Sequence, residues 1–220
     1  MSKAPIALLL AVSAGLSGCS ESARLQISDG FGPSPQLPEP NKTLIPTVNI
    51  APAVGWPQGT KPVAAPGTQV NAFAEGLDHP RWIYVLPNGD VLVAETNAPP
   101  KPEDGKGIRG WVMGKVMGSA GATVPSANRI SLLRDNDHDG VAETRTLFID
   151  KLNSPFGMTL VGNEFYVADT DRLLRFRYEP GATEIKGPGT VVAELPGGPL
   201  NHHWTKNLIA SRDGKKVYVT

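Results

Sequence analysis

The chain has 220 residues, with 21 Lys and Arg against 21 Asp and Glu, one Cys, 24 Gly and 21 Pro. A net charge of zero excludes a nucleic-acid binder that works through a broad basic surface. A single Cys excludes an internal disulfide and a Cys-based zinc site. Gly and Pro together make about a fifth of the chain, which favours many turns over long helices.

Residues 1–18 read as a lipoprotein signal peptide. Lys3 supplies a short positive start, and Ile6 to Leu16 is apolar or small, the length of a signal core and too short to span a bilayer. Leu16-Ser17-Gly18-Cys19 matches the bacterial lipobox pattern, which makes Cys19 the lipidated first residue of the mature chain. An ordinary signal peptide, with Cys19 a bystander, is the bland reading. Ser20 after Cys19 fits sorting to the outer membrane. The expected place is therefore the bacterial cell envelope, facing the periplasm, with membrane contact through the lipid anchor only.

Residues 19–68 read as a Pro-rich tether, with nine prolines between 32 and 66. Such a stretch favours extended, semi-rigid backbone. A docking motif for a partner is the sharper alternative.

The globular part is expected over 69–220, with strand character throughout. Two β-rich runs flank Pro87-Asn88-Gly89-Asp90, and Asn-Gly signals a hairpin. The pattern returns at Phe156–Thr170 and again at Leu208–Thr220, and the three copies end in Val-Ala-Glu-Thr, Val-Ala-Asp-Thr and Val-Tyr-Val-Thr. The first two share a lead-in, Leu77-Asp78-His79-Pro80 and Leu152-Asn153-Ser154-Pro155. These prolines are 75 residues apart, and removing the Gly- and Pro-rich insertion at 97–128 leaves 43, the length of one four-stranded propeller blade. Further strands are expected at 129–134, 144–149, 173–178 and 190–194. The fold class is all-β: a β-propeller, of which this chain carries about three blades. Closed propellers have 4–8 blades, so the chain reads as an incomplete, N-terminal fragment. In the insertion, a short helix over 107–118 would pack Trp111, Val112 and Met117 on the propeller face. A lid or an electron-partner surface is the alternative use.

Two polar constellations stand out. Asp135, Asp137 and Asp139, followed by Gly140, place oxygen donors on alternate residues with a Gly at the turn, as in the opening of a calcium loop. Glu143 stands at the ninth position, but the twelfth is Thr146 where the full loop has Glu. Structural Ca2+ and a plain solvated turn both remain open. The second constellation is Asn201-His202-His203-Trp204-Thr205-Lys206-Asn207-Leu208, on a turn-rich segment before a strand. A neutral His there suits a general base, and a structural His pair is the plainer reading.

The 201–208 segment, together with Gly76–Trp82 and Leu152–Met158, resembles the sorbosone dehydrogenase family. These are soluble quinoprotein sugar dehydrogenases on a six-bladed propeller, binding pyrroloquinoline quinone (PQQ). The resemblance covers about residues 50–220. It implies oxidation of an aldose or sugar aldehyde, with His203 as general base and hydride passing to the quinone. His202 and Asn153 would contact substrate, and electrons would pass to an acceptor of the respiratory chain. The main cofactor contacts are expected beyond residue 220, so the chain alone is expected to be inactive. Two other readings are a gluconolactonase-type hydrolase, whose metal would need donors such as Glu95, Asn153 and Asp169, and a non-catalytic binding propeller. No nucleic-acid partner is expected.

Overall fold

The computed structural model describes residues 25–39, 50–100, 106–198 and 201–220. The chain divides into two units, Met1–Ala51 and Pro52–Thr220. The signal segment 1–18 and Cys19 lie outside the described residues. In the first unit the described residues hold one 3-10 turn, Ile27–Gly30, closed where the Gln26 N–H donates to Asp29.

The second unit carries the strands. They are β1 Pro80–Val85, β2 Val91–Glu95, β3 Arg129–Arg134, β4 Thr144–Ile149, β5 Met158–Val161, β6 Glu164–Ala168, β7 Arg172–Arg177, β8 Thr190–Glu194, β9 Leu208–Ala210 and β10 Val217–Val219. Among the described residues one α-helix, α1, spans Gly107–Ser119 between β2 and β3. The strands form two four-stranded sheets, β1-β2-β3-β4 and β5-β6-β7-β8, and a two-stranded sheet of β9 and β10. Every pairing is antiparallel. These are two propeller blades and the first two strands of another, against an expectation of about three.

The repeat is visible in the backbone as well as in the letters. Gly76 and Lys151, 75 residues apart, both have positive φ, and so do His79 and Ser154. The two hairpins close differently. Val161 pairs with Glu164, leaving a two-residue turn in which Gly162 takes positive φ. Val85 pairs with Val91, so Asn88-Gly89 sits in a five-residue loop closed by the Leu86 N–H on the Asp90 carbonyl at 2.8 Å. The longer loop has a cause: Asp90 is buried and receives Arg134 of β3 through two bonds, of 2.6 and 2.7 Å.

Period-2 patterning sets which side chains turn inward. Trp82 and Tyr84 of β1 pack against the core, while Ile83 and Val85 face out. One cluster joins the two complete blades, with Leu92, Ile130, Leu132 and Phe148 from the first and Met158, Phe165, Val167 and Phe176 from the second. Phe148 meets Phe165 edge to face, with ring centroids 5.6 Å apart. Burying such a side chain contributes about 2–3 kcal/mol. β8 is exposed at every position, as the outer strand of its sheet.

The helix expected over 107–118 forms, but it does not pack as expected: Trp111, Val112 and Met117 are exposed. The insertion is tied down by its ends. The Asn97 amide donates to the Ala122 carbonyl at 3.2 Å, the Asn97 N–H donates to the Ser126 hydroxyl at 3.0 Å, and the Ala53 N–H donates to the Ser119 carbonyl at 2.8 Å. These bonds fix the returning strand without asking the helix to bury a face.

Antiparallel order decides which loops share an end. β1, β3, β5, β7 and β9 run away from one end, and β2, β4, β6 and β8 return to it. That end gathers the lead-ins before β1, β5 and β9, the α1 insertion, and the tight Asp169-Thr170-Asp171 link. The Asp135–Glu143 loop lies at the opposite end of its blade.

Candidate functional site: the lead-in segments

Three lead-ins meet at the first end. Gly157 is where two inner strands touch: its N–H donates to the Lys206 carbonyl at 3.0 Å. A Cβ on Gly157 would lie 2.5 Å from the Leu208 nitrogen and 2.7 Å from the Lys206 carbonyl oxygen, so only glycine lets the β9 lead-in pass. The Thr220 N–H donates to the Asn207 carbonyl as the Ala168 N–H donates to that of Gly157. This register sets Asn207 where the second blade has Gly157. The sequence repeat sets Asn153 against Asp78. The Asp78 carboxylate is taken by Arg129 at 2.6 Å, whereas Asn153 and His203 follow on the second and third lead-ins.

Rings run across the same three lead-ins. Trp82 stands 5.1 Å from Phe156, and Phe156 meets Trp204 edge to face at 6.1 Å. The Arg81 guanidinium lies 5.6 Å from the Trp204 ring centroid. Trp204 is buried, while its neighbours His202 and His203 are exposed. The Lys206 ammonium donates to the His203 carbonyl at 2.9 Å. A locked Trp and a bonded carbonyl therefore bracket His203, and its ring is presented to solvent.

Asn153 is held by the second blade's link. Its amide Nδ2 donates to Asp171 Oδ2 at 3.0 Å, and its carbonyl receives the Thr170 N–H at 3.0 Å. With Nδ2 so placed, the amide oxygen is the atom left to accept from a ligand hydroxyl. The Asn201 amide reaches the same link, donating to the Thr170 hydroxyl at 2.9 Å. Asn153 and the 201–208 segment are thus brought onto one support.

The hairpin-end carboxylates differ. Glu95 is fully buried, and Arg129 and Arg145, the Ser131 hydroxyl and the Asp78 N–H all donate to it. Burial alone would push its carboxyl up, but Arg129, Ser131 and the Asp78 N–H outweigh it and hold Glu95 down to about 2. Asp169 is also fully buried, yet its Oδ1 has no hydrogen-bond partner and its Oδ2 has Arg172 at 3.3 Å. Burial pushes Asp169 up to about 6, against the pull of the Asn153 N–H and Arg172. Glu95 is consumed by its two arginines, which removes it as a metal donor for a hydrolase.

The acidic loop is assembled. One oxygen each of Asp135, Asp137, Asp139 and Glu143 lie within 4.8 Å of one another. Asp135 also orders the turn, taking the His138 N–H at 2.7 Å and the Gly140 N–H at 2.9 Å. The Gly140 N–H lowers the Asp135 carboxyl, together with that of His138, beyond what desolvation raises. Val141 donates to Asp139 and Asn136 to Glu143, each at 2.8 Å. Hard oxygen donors around one point are the chemistry of a Ca2+ loop. Glu143 joins the three aspartates named from sequence.

The sequence reading missed the Arg81–Trp204 stack, the Asp169–Asp171 support and Asn128. The Asn128 side-chain oxygen accepts from the Ser126 hydroxyl at 2.7 Å and the Ser154 N–H at 2.9 Å, joining the insertion to the second lead-in. Only its place before β3 hinted at that, since Asn tolerates the positive φ it adopts.

Residues 87–181 match the model of a domain of unknown function, DUF7133. No curated protein matches the chain. Among solved structures, the chain is similar to the iodide structure of a carbohydrate-active enzyme of family AA12 from Trichoderma reesei. The identity is 17%, over 72% of this chain and 33% of that one, with a TM-score of 0.50. The holo form of the pyranose dehydrogenase PQQ domain from Coprinopsis cinerea matches at 14% identity over 64% of this chain and 27% of that one, with a TM-score of 0.44. The chain spans about a third of the length of these structures. The Trichoderma likeness shows a shared fold, in keeping with the blades described above.

Proposed function

We propose that these blades serve a quinoprotein dehydrogenase that oxidises an aldose or sugar aldehyde, of the sorbosone type. The observation that carries this is the placing of His203. It is solvent-facing, on a segment locked by Trp204 and tied through Asn201 to the Thr170 link that also holds Asn153. His203 takes the proton from the substrate's C1 hydroxyl, and His202 and the Asn153 amide oxygen bind that substrate. A fold shared with a carbohydrate-active enzyme supports a sugar as the ligand class.

PQQ, a tricarboxylate, needs several cations around it. Among the described residues near the lead-ins, Lys206 is turned to the His203 carbonyl and Arg172 to Asp169 and Asp171, which leaves Arg81. These residues do not make a cradle for it by themselves.

Asp135, Asp137 and Asp139, with Glu143, hold a structural Ca2+ at the far end of the first blade. Cys19 carries the lipid anchor, which sets the domain on the periplasmic side of the envelope, at the outer membrane, handing electrons to an acceptor of the respiratory chain.

The test is dye-linked oxidation of aldoses and aldehydes with PQQ and Ca2+, on the protein that carries residues 69–220. His203→Ala should lower turnover about 10²–10⁴-fold with PQQ still bound. Unchanged turnover removes His203 from the role. Lactone hydrolysis without PQQ would favour the hydrolase instead.

A further inference from the structure

α1 turns apolar side chains to solvent. Ile108 is 84% exposed and Trp111 66%, and Val112, Met113 and Met117 are exposed with them. Two more exposed apolar side chains stand on the chain pinned at the helix end. After the bond from Ala53 to Ser119, Val54 and Trp56 are exposed, Trp56 at 69%. Large apolar side chains left exposed in this number on one helix mark an interaction site.

Charge says what it meets. The chain as a whole is neutral, but the insertion at 97–128 carries Lys101, Lys106, Arg109 and Lys115 against Glu103 and Asp104, a net charge of +2. A second copy of the same surface would set basic against basic. An anionic lipid surface supplies both an apolar layer and the opposite charge. Trp is favoured at that interface, where its ring is amphipathic. Thirteen residues make a helix about 20 Å long, too short to cross a bilayer. Among the described residues no helix is long and apolar enough to cross one. This helix can lie on a membrane.

We propose that α1, with Val54 and Trp56, docks the domain onto an anionic lipid surface. This is a second membrane contact, independent of an anchor at Cys19 and of the reaction at His203. α1 leaves the blade at the same end as the lead-ins, so docking there turns that end toward the lipid.

The test uses residues 20–220, which lack Cys19, so that the anchor cannot supply binding. It is sedimented with vesicles of phosphatidylcholine alone or with phosphatidylglycerol added. Binding is expected to the anionic vesicles, weakening with salt, with tryptophan emission shifted to the blue. Ile108→Glu with Trp111→Glu should abolish it. Lys106→Gln and Lys115→Gln should each weaken it about fivefold. These side chains are exposed, and an unchanged melting temperature confirms that the variants fold. Equal binding by the double variant, equal binding to both vesicle types, or no binding to either overturns the proposal. So does self-association that the double variant removes while vesicle binding stays absent.

Discussion

Asp169 stands in the second blade where Glu95 stands in the first, yet only Glu95 is fully partnered. Arg129, Arg145 and Ser131 surround Glu95, and Arg172 alone reaches the Asp169 side chain among charged donors. The shorter carboxylate leaves Oδ1 buried and unbonded. One fold position is thus a closed ionic lock in one blade and a strained acid in the next.

The two should titrate with opposite effect. Asp169 holds its proton more tightly folded, at about 6, than unfolded, at 3.8. Its contribution is therefore present below about pH 4 and lost as pH rises through 6, about 3 kcal/mol in all. Asp169→Asn should flatten the fall of melting temperature with pH between 4 and 6, and should match or exceed the parent at pH 8. A variant curve parallel to the parent's across that window would show that Asp169 does not titrate there.

Glu95 is the reverse case, lowered from 4.5 to about 2. Its contribution is present above pH 4.5 and is lost as pH falls through 2. Glu95→Gln should cost about 3 kcal/mol at pH 7, because Arg129 and Arg145 lose their counter-charge. Denaturant unfolding at pH 7 and pH 3 checks this: the difference between parent and variant should shrink at the lower pH.

Much of this was legible in the letters. The strands at 129–134, 144–149 and 190–194 lie where alternating β-branched and apolar residues put them. The hairpin ends announced the repeat, because Val-Ala-Glu-Thr and Val-Ala-Asp-Thr occupy one register. The alternating aspartates converge because every second residue of a turn can point at a common centre. What stayed hidden depends on neighbours far along the chain. Arg81 gives no sign in sequence that it will cover Trp204, 123 residues on. α1 has a helical pattern, but pattern alone could not say that no blade would cover it.

Gly157→Ala should separate the second and third lead-ins. The added Cβ would meet backbone at 2.5–2.7 Å, which cannot move aside as a side chain tip can. A loss of about 3 kcal/mol or more is expected, along with a disturbed His203 segment. Gly114→Ala is the control: it has open space on α1 and should gain up to about 1 kcal/mol. Thermal melts of both variants check the pair, and a neutral Gly157→Ala would deny the close approach.

The acidic loop gives the last test. Its backbone bonds already fold the turn, so an ion would gain affinity from donors held in place rather than from ordering the chain. Ca2+ should raise the melting temperature, and EDTA should reverse the rise. The gain should grow with concentration as RT ln(1 + [Ca2+]/Kd). Asp137→Ala is the informative variant. Asp135 caps two N–H groups of the turn, whereas Asp137 accepts only the Asp139 N–H at 3.3 Å. Removing Asp137 should therefore leave the calcium-free melt within about 0.5 kcal/mol of the parent and abolish the response to the ion. Mg2+ should give a smaller rise, because it wants six tight ligands and gives up its waters reluctantly. A parent with no response to millimolar Ca2+ would leave the loop an ordinary turn, and an unchanged response in Asp137→Ala would move the ion elsewhere.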